Sequence, residues 1–464
     1  MRIRISNLFV LVLVAVLAGS AFVAGARLRD WHNSSGAQDV VNVQATALLK
    51  ITPECAPVTP PKAGQSISEQ RDFIGSVVKH LKAYYVDPIT PEREASMARG
   101  AAQGMIDSLM DPDSRFLDPK ERRLLDEAGS GRFSGIGAVL ALRKRKADAL
   151  DVTDIVVVAP MPGSPAEEAG LRPGDSIIDL GGKWIITRDP FEEAGLPKLM
   201  VSARNKLIDD LTVQKVFEAA DKKLREGVTI SDTLQALTTK SSGDLILKVE
   251  RPGESQPIQM KVRCRDTRVD PVVSQILKRR IAYIRISQFS SGAAKEFAAE
   301  LEKARANRVK ALLLDLRNTP GGSLDSAAEI TSKITGGGVT AIIQSKNRKA
   351  AIRLPKTRGL DMPIAILVNG GTASVAELVS ATLRESGLAT LVGAKTFGDG
   401  LVQTPLMLKD GSAAVLTTGK MLTPKGFDFN EKGVEPDKVV EKGPRGDAQL
   451  EEAERLLLAK LGRV

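Results

Sequence analysis

NGGTASVAELVSATLRESGLATLVGAKTFGDGLVQ, residues 369–403, decides how this chain is read. It follows PIAILV at 363–368, an apolar run of strand length. The Gly370-Gly371 pair allows the backbone a sharp turn with positive φ. Ser374 then opens an amphipathic helical pattern over 374–385. A helix start leaves N–H groups unpaired and carries a partial positive charge. A serine hydroxyl there sits in a field that favours a developing oxyanion. The same residues, Ser374-Val375-Ala376-Glu377, also spell an S-x-x-E capping box. Judged locally, capping is the commoner use of such a serine.

Working outward, the neighbouring segments repeat one design. RIAYIRI at 280–286 and VKALLLDLR at 309–317 read as strands, with helical patterns at 293–306 and 323–334. Further strands are expected at 389–392 and 413–418. Buried strands alternating with amphipathic helices predict a layered α/β core over 269–440. A C-terminal helix is expected within 441–464. In LLLDLRNTPGGSLDSA, 312–327, a Pro-Gly-Gly turn follows a strand and precedes a helix, offering backbone N–H groups to an anion. Upstream, residues 66–130 read as a helical region, with Phe73, Val77, Val78, Leu81 and Tyr85 on one face.

Residues 131–268 form a separate unit of β character. RFSGIGAVLAL, DIVVVAP, GSPAEEAGLRPGDSIIDLGG and DLILKVERPG alternate strands with Gly-rich turns, and ISDTLQALTT reads as a helix. On SGIG at 134–137 and AGLRPGDSIIDLGG at 169–182 this unit resembles a PDZ domain. That resemblance implies binding of protein or peptide C-termini, with the loop at Gly135, Ile136 and Gly137 holding the carboxylate and the peptide adding as a strand. One departure is a long segment at 185–228, where Val213, Val216, Phe217, Ala220 and Leu224 fall at helical spacing. It is expected to pack as a cover on the domain; a docking surface for a partner protein is the alternative.

In their order, YYVDPIT, SLMDPDSRFL, the PDZ-like unit, the Pro-Gly-Gly turn, the Ser374 segment and GKMLTPKGFDFNEKGVEPDKVV resemble the C-terminal processing peptidases, tail-specific serine proteases. The resemblance runs over about 68–440. It implies that Ser374 is the nucleophile and that the oxyanion donors are the Val375 N–H and one glycine of the pair Gly321 and Gly322. It also implies that Gln403 orients the general base. The family's base is a lysine in a G-K-G turn; here that turn is Gly398-Asp399-Gly400. A serine nucleophile needs a neighbour to take its proton. An ordinary aspartate, with a pKa of about 4, is a poor one. Lys395 and Lys420 are the other lysines to consider; the first reads as a solvated surface residue, and nothing in the sequence brings the second to the site.

The first 26 residues carry a targeting signature: Arg2 and Arg4, an apolar run at 8–26, and a small-residue Ala24-Gly25-Ala26 site. It reads as a signal peptide or an uncleaved membrane anchor, and residues 27–65 as a Pro-containing linker. The expected location is therefore exported, periplasmic or cell-envelope, with membrane attachment through this segment. The net charge of +10 is scattered and aromatics make up 4%, so nucleic acid is not an expected partner. An envelope protein facing acidic surfaces or lipids fits the same charge. Cys55 and Cys264 form no disulfide framework, and the two histidines, His32 and His80, are badly placed for a triad or a zinc site. No metal or cofactor is expected. Two functions compete: an exported serine endopeptidase, and a catalytically inactive peptide-binding adaptor or regulator on the same scaffold.

Overall fold

The computed structural model describes residues 66–147, 150–205, 209–239, 243–441 and 446–462. The targeting segment, the linker, His32 and Cys55 lie outside these residues. Cys264 is buried with a free thiol.

The chain divides into two compact units, with the division between Ser108 and Leu109. Among the described residues, the first contains the helices Ile67–Tyr84 and Pro91–Asp107. Ser66 starts one with a full capping box, its hydroxyl and the Glu69 carboxylate bonding each other's backbone N–H. Thr90 caps the other, with Pro91 in its first turn. The third helix of the expected helical region, Pro119–Gly129, belongs to the second unit.

The core of the second unit is a six-stranded sheet in the order Val272–Leu277, Ile281–Ile286, Ala311–Asp315, Ile364–Val368, Ala389–Gly393, Lys438–Val439. The first pair is antiparallel and the rest are parallel. Alternate residues explain its two covered faces. Ala282, Ile284, Leu312, Leu314, Ile364 and Ile366 pack under the helices Ala293–Ala306, Leu324–Thr335 and Val375–Glu385. Ile281, Ala311, Leu313, Ala365 and Leu367 pack under the C-terminal helix Ala448–Leu461 through Ala453 and Leu457. A five-stranded sheet joins the first of these cores through Ala341 and Met421. Parallel strands place their carboxyl ends, and the turns that follow Asp315 and Val368, at one end of the core.

The PDZ-like unit is a six-stranded sheet built mainly from Ala138–Ala147, Leu150–Pro160, Ser176–Leu180, Asp244–Glu250 and Ile258–Arg263. The short pair Arg132–Phe133 and Thr267–Arg268 closes it where the chain enters and leaves. Among its described residues, the segment at 185–228 forms the helices Pro190–Glu193, Leu196–Arg204 and Asp210–Glu226. Val213, Phe217 and Ala220 are buried, Phe217 against Phe191, and Lys223 lies over the Trp184 ring and pairs with Glu193.

Candidate active site

Ser374 stands between Ala373 and the helix Val375–Glu385 with φ +56° and ψ −125°. A non-glycine residue held there is strained, and such strain collects at functional sites. Its hydroxyl makes no cap bond. Only the other half of the expected box forms: the Ser374 N–H donates to the Glu377 carboxylate at 3.0 Å. The Glu377 N–H donates instead to the Ser374 backbone carbonyl at 3.0 Å. Val375, as the first helical residue, keeps an N–H without an intrahelical acceptor.

The Pro-Gly-Gly turn lies against this serine. A Cβ on Gly321 would fall 2.8 Å from Ser374 Cβ and 3.3 Å from its Oγ, whereas one on Gly322 would strike the Phe289 carbonyl at 2.3 Å. Gly321 is therefore the glycine facing the hydroxyl; Gly322 lets the chain pass Phe289. Two asparagines staple the turns together. The Asn369 side-chain amide donates to Asn318 Oδ1 at 2.8 Å, and Asn369 Oδ1 accepts from the N–H groups of Asn318 and Gly371 at 2.9 and 3.0 Å. Thr372 Oγ1 donates to the Leu316 carbonyl at 2.8 Å, and the Ala373 N–H donates to that of Thr319 at 2.9 Å.

Glu377 joins the serine turn to the Gly398-Asp399-Gly400 turn. Its buried carboxylate accepts from Ser374 N and Asp399 N on Oε2, and from Gly398 N and the Thr396 hydroxyl on Oε1. Burial pushes this carboxyl up to about 7; the Thr396 and backbone bonds pull it down, and the charge of Asp399 adds to the rise. Since all four partners present hydrogens, the arrangement holds the ionised form.

Asp399 is largely buried, and its carboxyl is pushed up to about 6, chiefly by desolvation. The Leu401 N–H and the charge of Arg143 oppose this shift, and the charge of Asp113 adds to it. Asp399 Oδ1 accepts from the Leu401 N–H at 3.3 Å, so the side chain folds back on its own turn. Lys395 pairs with Glu435 at 2.8 Å, and Lys420 with Asp428 at 3.5 Å. Gln403 donates its amide to Thr417 Oγ1 at 2.9 Å. That bond ties it to the neighbouring strand Ala413–Leu422, beside an irregularity in the pairing at Val402/Gln403.

Two contacts from the PDZ-like unit reach the site. Pro173 packs on the Gly370-Gly371 turn, where a Cβ on Gly371 would meet Pro173 Cγ at 2.8 Å and Asn318 Oδ1 at 2.7 Å. Arg143 donates to the Phe397 carbonyl at 2.8 Å, with its guanidinium 3.8 Å from the centre of the Phe397 ring. Sequence reasoning missed both, because Arg143 lies in an undistinguished RKRK run and Pro173 in an ordinary turn. Glu377 was visible only as a capping residue. At the PDZ-like loop, the N–H of Ile136 donates to the Leu237 carbonyl at 2.9 Å, and Gly135 leaves no room for a Cβ, which would fall 2.0 Å from the same oxygen. This loop therefore docks on the end of the helix Ile230–Thr238, with one expected carboxylate donor already engaged.

A model of peptidase family S41 matches residues 280–440, and a PDZ domain model matches residues 156–196. The carboxy-terminal processing protease CtpA of Bacillus subtilis (strain 168) is 28% identical over 399 residues, covering 86% of this chain and 74% of the relative. A probable CtpA-like serine protease of Staphylococcus aureus (strain MRSA252) is 30% identical over 372 residues, covering 79% of this chain and 64% of its own length. Among solved structures, the photosystem II D1 C-terminal processing protease superposes with a TM-score of 0.59 at 23% identity, over 85% of this chain and 91% of that one. At that identity the likeness speaks to the fold alone.

Proposed function

Since this chain belongs to the C-terminal processing peptidase family, we propose that it is an exported, envelope-located member that binds protein or peptide C-termini through its PDZ unit, with hydrolysis at Ser374 severely weakened or lost. Acyl-enzyme formation would join Ser374 Oγ to the scissile carbonyl carbon, pass the hydroxyl proton to a base, and break the peptide C–N bond as that proton is handed to the departing amine. The observation that carries the proposal is the side chain of Asp399. It is held by the Leu401 N–H, at the position that the resemblance matches to the family's lysine, and Lys395 and Lys420 each pair with a carboxylate. General-base assistance is worth roughly 10²–10⁴ in rate, and that is the size of the expected loss. Ser374, Gly321 and the Val375 N–H retain the outline of an oxyanion site, so weak reaction with a strongly activated reagent is expected. Membrane attachment through residues 8–26 belongs to the same reading.

An active endopeptidase is the second reading, favoured by one observation: burial lifts Asp399 to about 6, making it a better base than a solvated aspartate. Fluorophosphonate labelling and cleavage of an unstructured protein separate the two. The proposal expects slow labelling confined to Ser374, no cleavage above the Ser374→Ala level, and saturable binding of peptides with a free C-terminal carboxylate. Cleavage that Ser374→Ala abolishes would establish the active enzyme.

A further inference from the structure

The end of the core sheet opposite Ser374 carries a second feature. The strands Ile281–Ile286 and Ala311–Asp315 start side by side, Ile281 opposite Ala311. The residues just before each start therefore share one end of the molecule. They are Lys278, Arg279 and Arg280 on one strand, and Arg308 and Lys310 on the other. The Lys310 N–H donates to the Arg280 carbonyl at 2.8 Å, locking the two loops together. All five side chains are exposed, and among the described residues none of them has an ion-pair partner. Beside this turn the adjoining edge strand leaves Ile276, opposite Ala282, exposed at 48%.

The backbone gives a separate indication. Arg279 and Arg280 have φ of +63° and +62°, and Arg308 has +53°. These consecutive positive φ values fall in the three-residue connection Lys278–Arg280 between the antiparallel strands Val272–Leu277 and Ile281–Ile286, a backbone that Gly and Asn adopt more readily than Arg. Placing two arginines there sacrifices turn stability for charge.

We propose that this basic end docks on an anionic phospholipid surface. Five unneutralised cations beside the exposed Ile276 side chain suit lipid headgroups, to which each basic residue contributes on the order of 1 kcal/mol of attraction. Nucleic acid fits less well, since stacking aromatics are scarce in this chain, at 4%. Lys310 and Asp315 are separated by the length of one strand, roughly 16 Å at about 3.3 Å per residue. Docking by this end would face the Ser374 turns away from the membrane.

The test is flotation of the full chain with phosphatidylcholine vesicles and with vesicles containing phosphatidylglycerol. The N-terminal segment, with Arg2 and Arg4, is common to wild type and variants, so the comparison between them isolates the basic end. Expected is extra binding to phosphatidylglycerol, reduced roughly 25-fold in Arg279→Asn/Arg280→Gly, at about fivefold per cation removed. The same variant should melt no lower than wild type, because Asn and Gly accept positive φ more readily than Arg, while Arg279→Lys/Arg280→Lys should keep the binding. Raising the salt should erase the increment. Equal binding to both vesicles, or an increment unchanged in the Asn-Gly variant, overturns the proposal. So does polyglutamate binding as tight as that of the vesicles, which would point to an acidic protein. None of these outcomes depends on Ser374.

Discussion

At the scale of single residues, the account turns on charge at position 399. Asp399 has a folded-state pKa near 6, against about 4 for a free aspartate. Below pH 4 both states hold the proton and the residue is neutral to stability. Between pH 4 and 6 only the folded state retains it, and stability falls as pH rises; above pH 6 the full penalty is present. Asp399→Asn should therefore stabilise the protein by about 1–3 kcal/mol at pH 7.5 and by little at pH 4. Denaturant titrations of both proteins at the two pH values check this, and an equal gain at both would contradict it. Glu377 behaves differently. Glu377→Gln brings an NH₂ group into a site where every partner is already a donor. It should cost about 1–3 kcal/mol and slow fluorophosphonate labelling of Ser374, since the serine and base turns lose their common tie.

Among elements, the legibility of the sequence was uneven, for physical reasons. The parallel strands were clear because both faces are buried: the ALLL and IAILV runs have no polar position to interrupt them. The helix beginning at Val375 was clear from its apolar spacing. The orientation of Ser374 was not, because S-x-x-E spells a cap whether or not the hydroxyl makes the bond. Only the backbone angles distinguish the cases. Likewise SGIG marked the PDZ-like loop, but its present hydrogen bond to Leu237 comes from a helix some hundred residues later and leaves no local trace. Gly135→Ala should force that loop off the helix Ile230–Thr238, because neither the positive φ nor the Leu237 carbonyl tolerates a Cβ. Fluorescence polarisation with a C-terminal peptide should show loss of binding; unchanged affinity would remove this loop from the recognition site. In the inserted helices, Phe217→Ala should cost about 3–5 kcal/mol, the usual range for a buried aromatic, measurable as a lowered melting temperature.

Across the whole molecule, buried ionic ties fix how the layers meet. Arg317 bonds Asp315 at 2.7 Å and Asp447 at 2.8 Å, and the Tyr283 hydroxyl donates to Asp315 at 2.7 Å. Asp447 also caps the C-terminal helix that covers one face of the sheet. Arg317→Met should cost roughly 3–5 kcal/mol by leaving buried Asp315 unpaired, and limited proteolysis should then cut first near residue 446. Asp315 lies three residues before Asn318, so this tie also supports the turn that faces Ser374. Proteolysis would draw on the whole assembly: a PDZ unit to hold the substrate, two stapled turns, and a base. Turnover of an unstructured protein by wild type, Ser374→Ala and Asp399→Lys tests the central claim most directly. The account predicts wild-type turnover at the Ser374→Ala level and a gain of about 10²-fold or more in Asp399→Lys. Wild-type turnover well above Ser374→Ala, with no gain from the lysine, would contradict it.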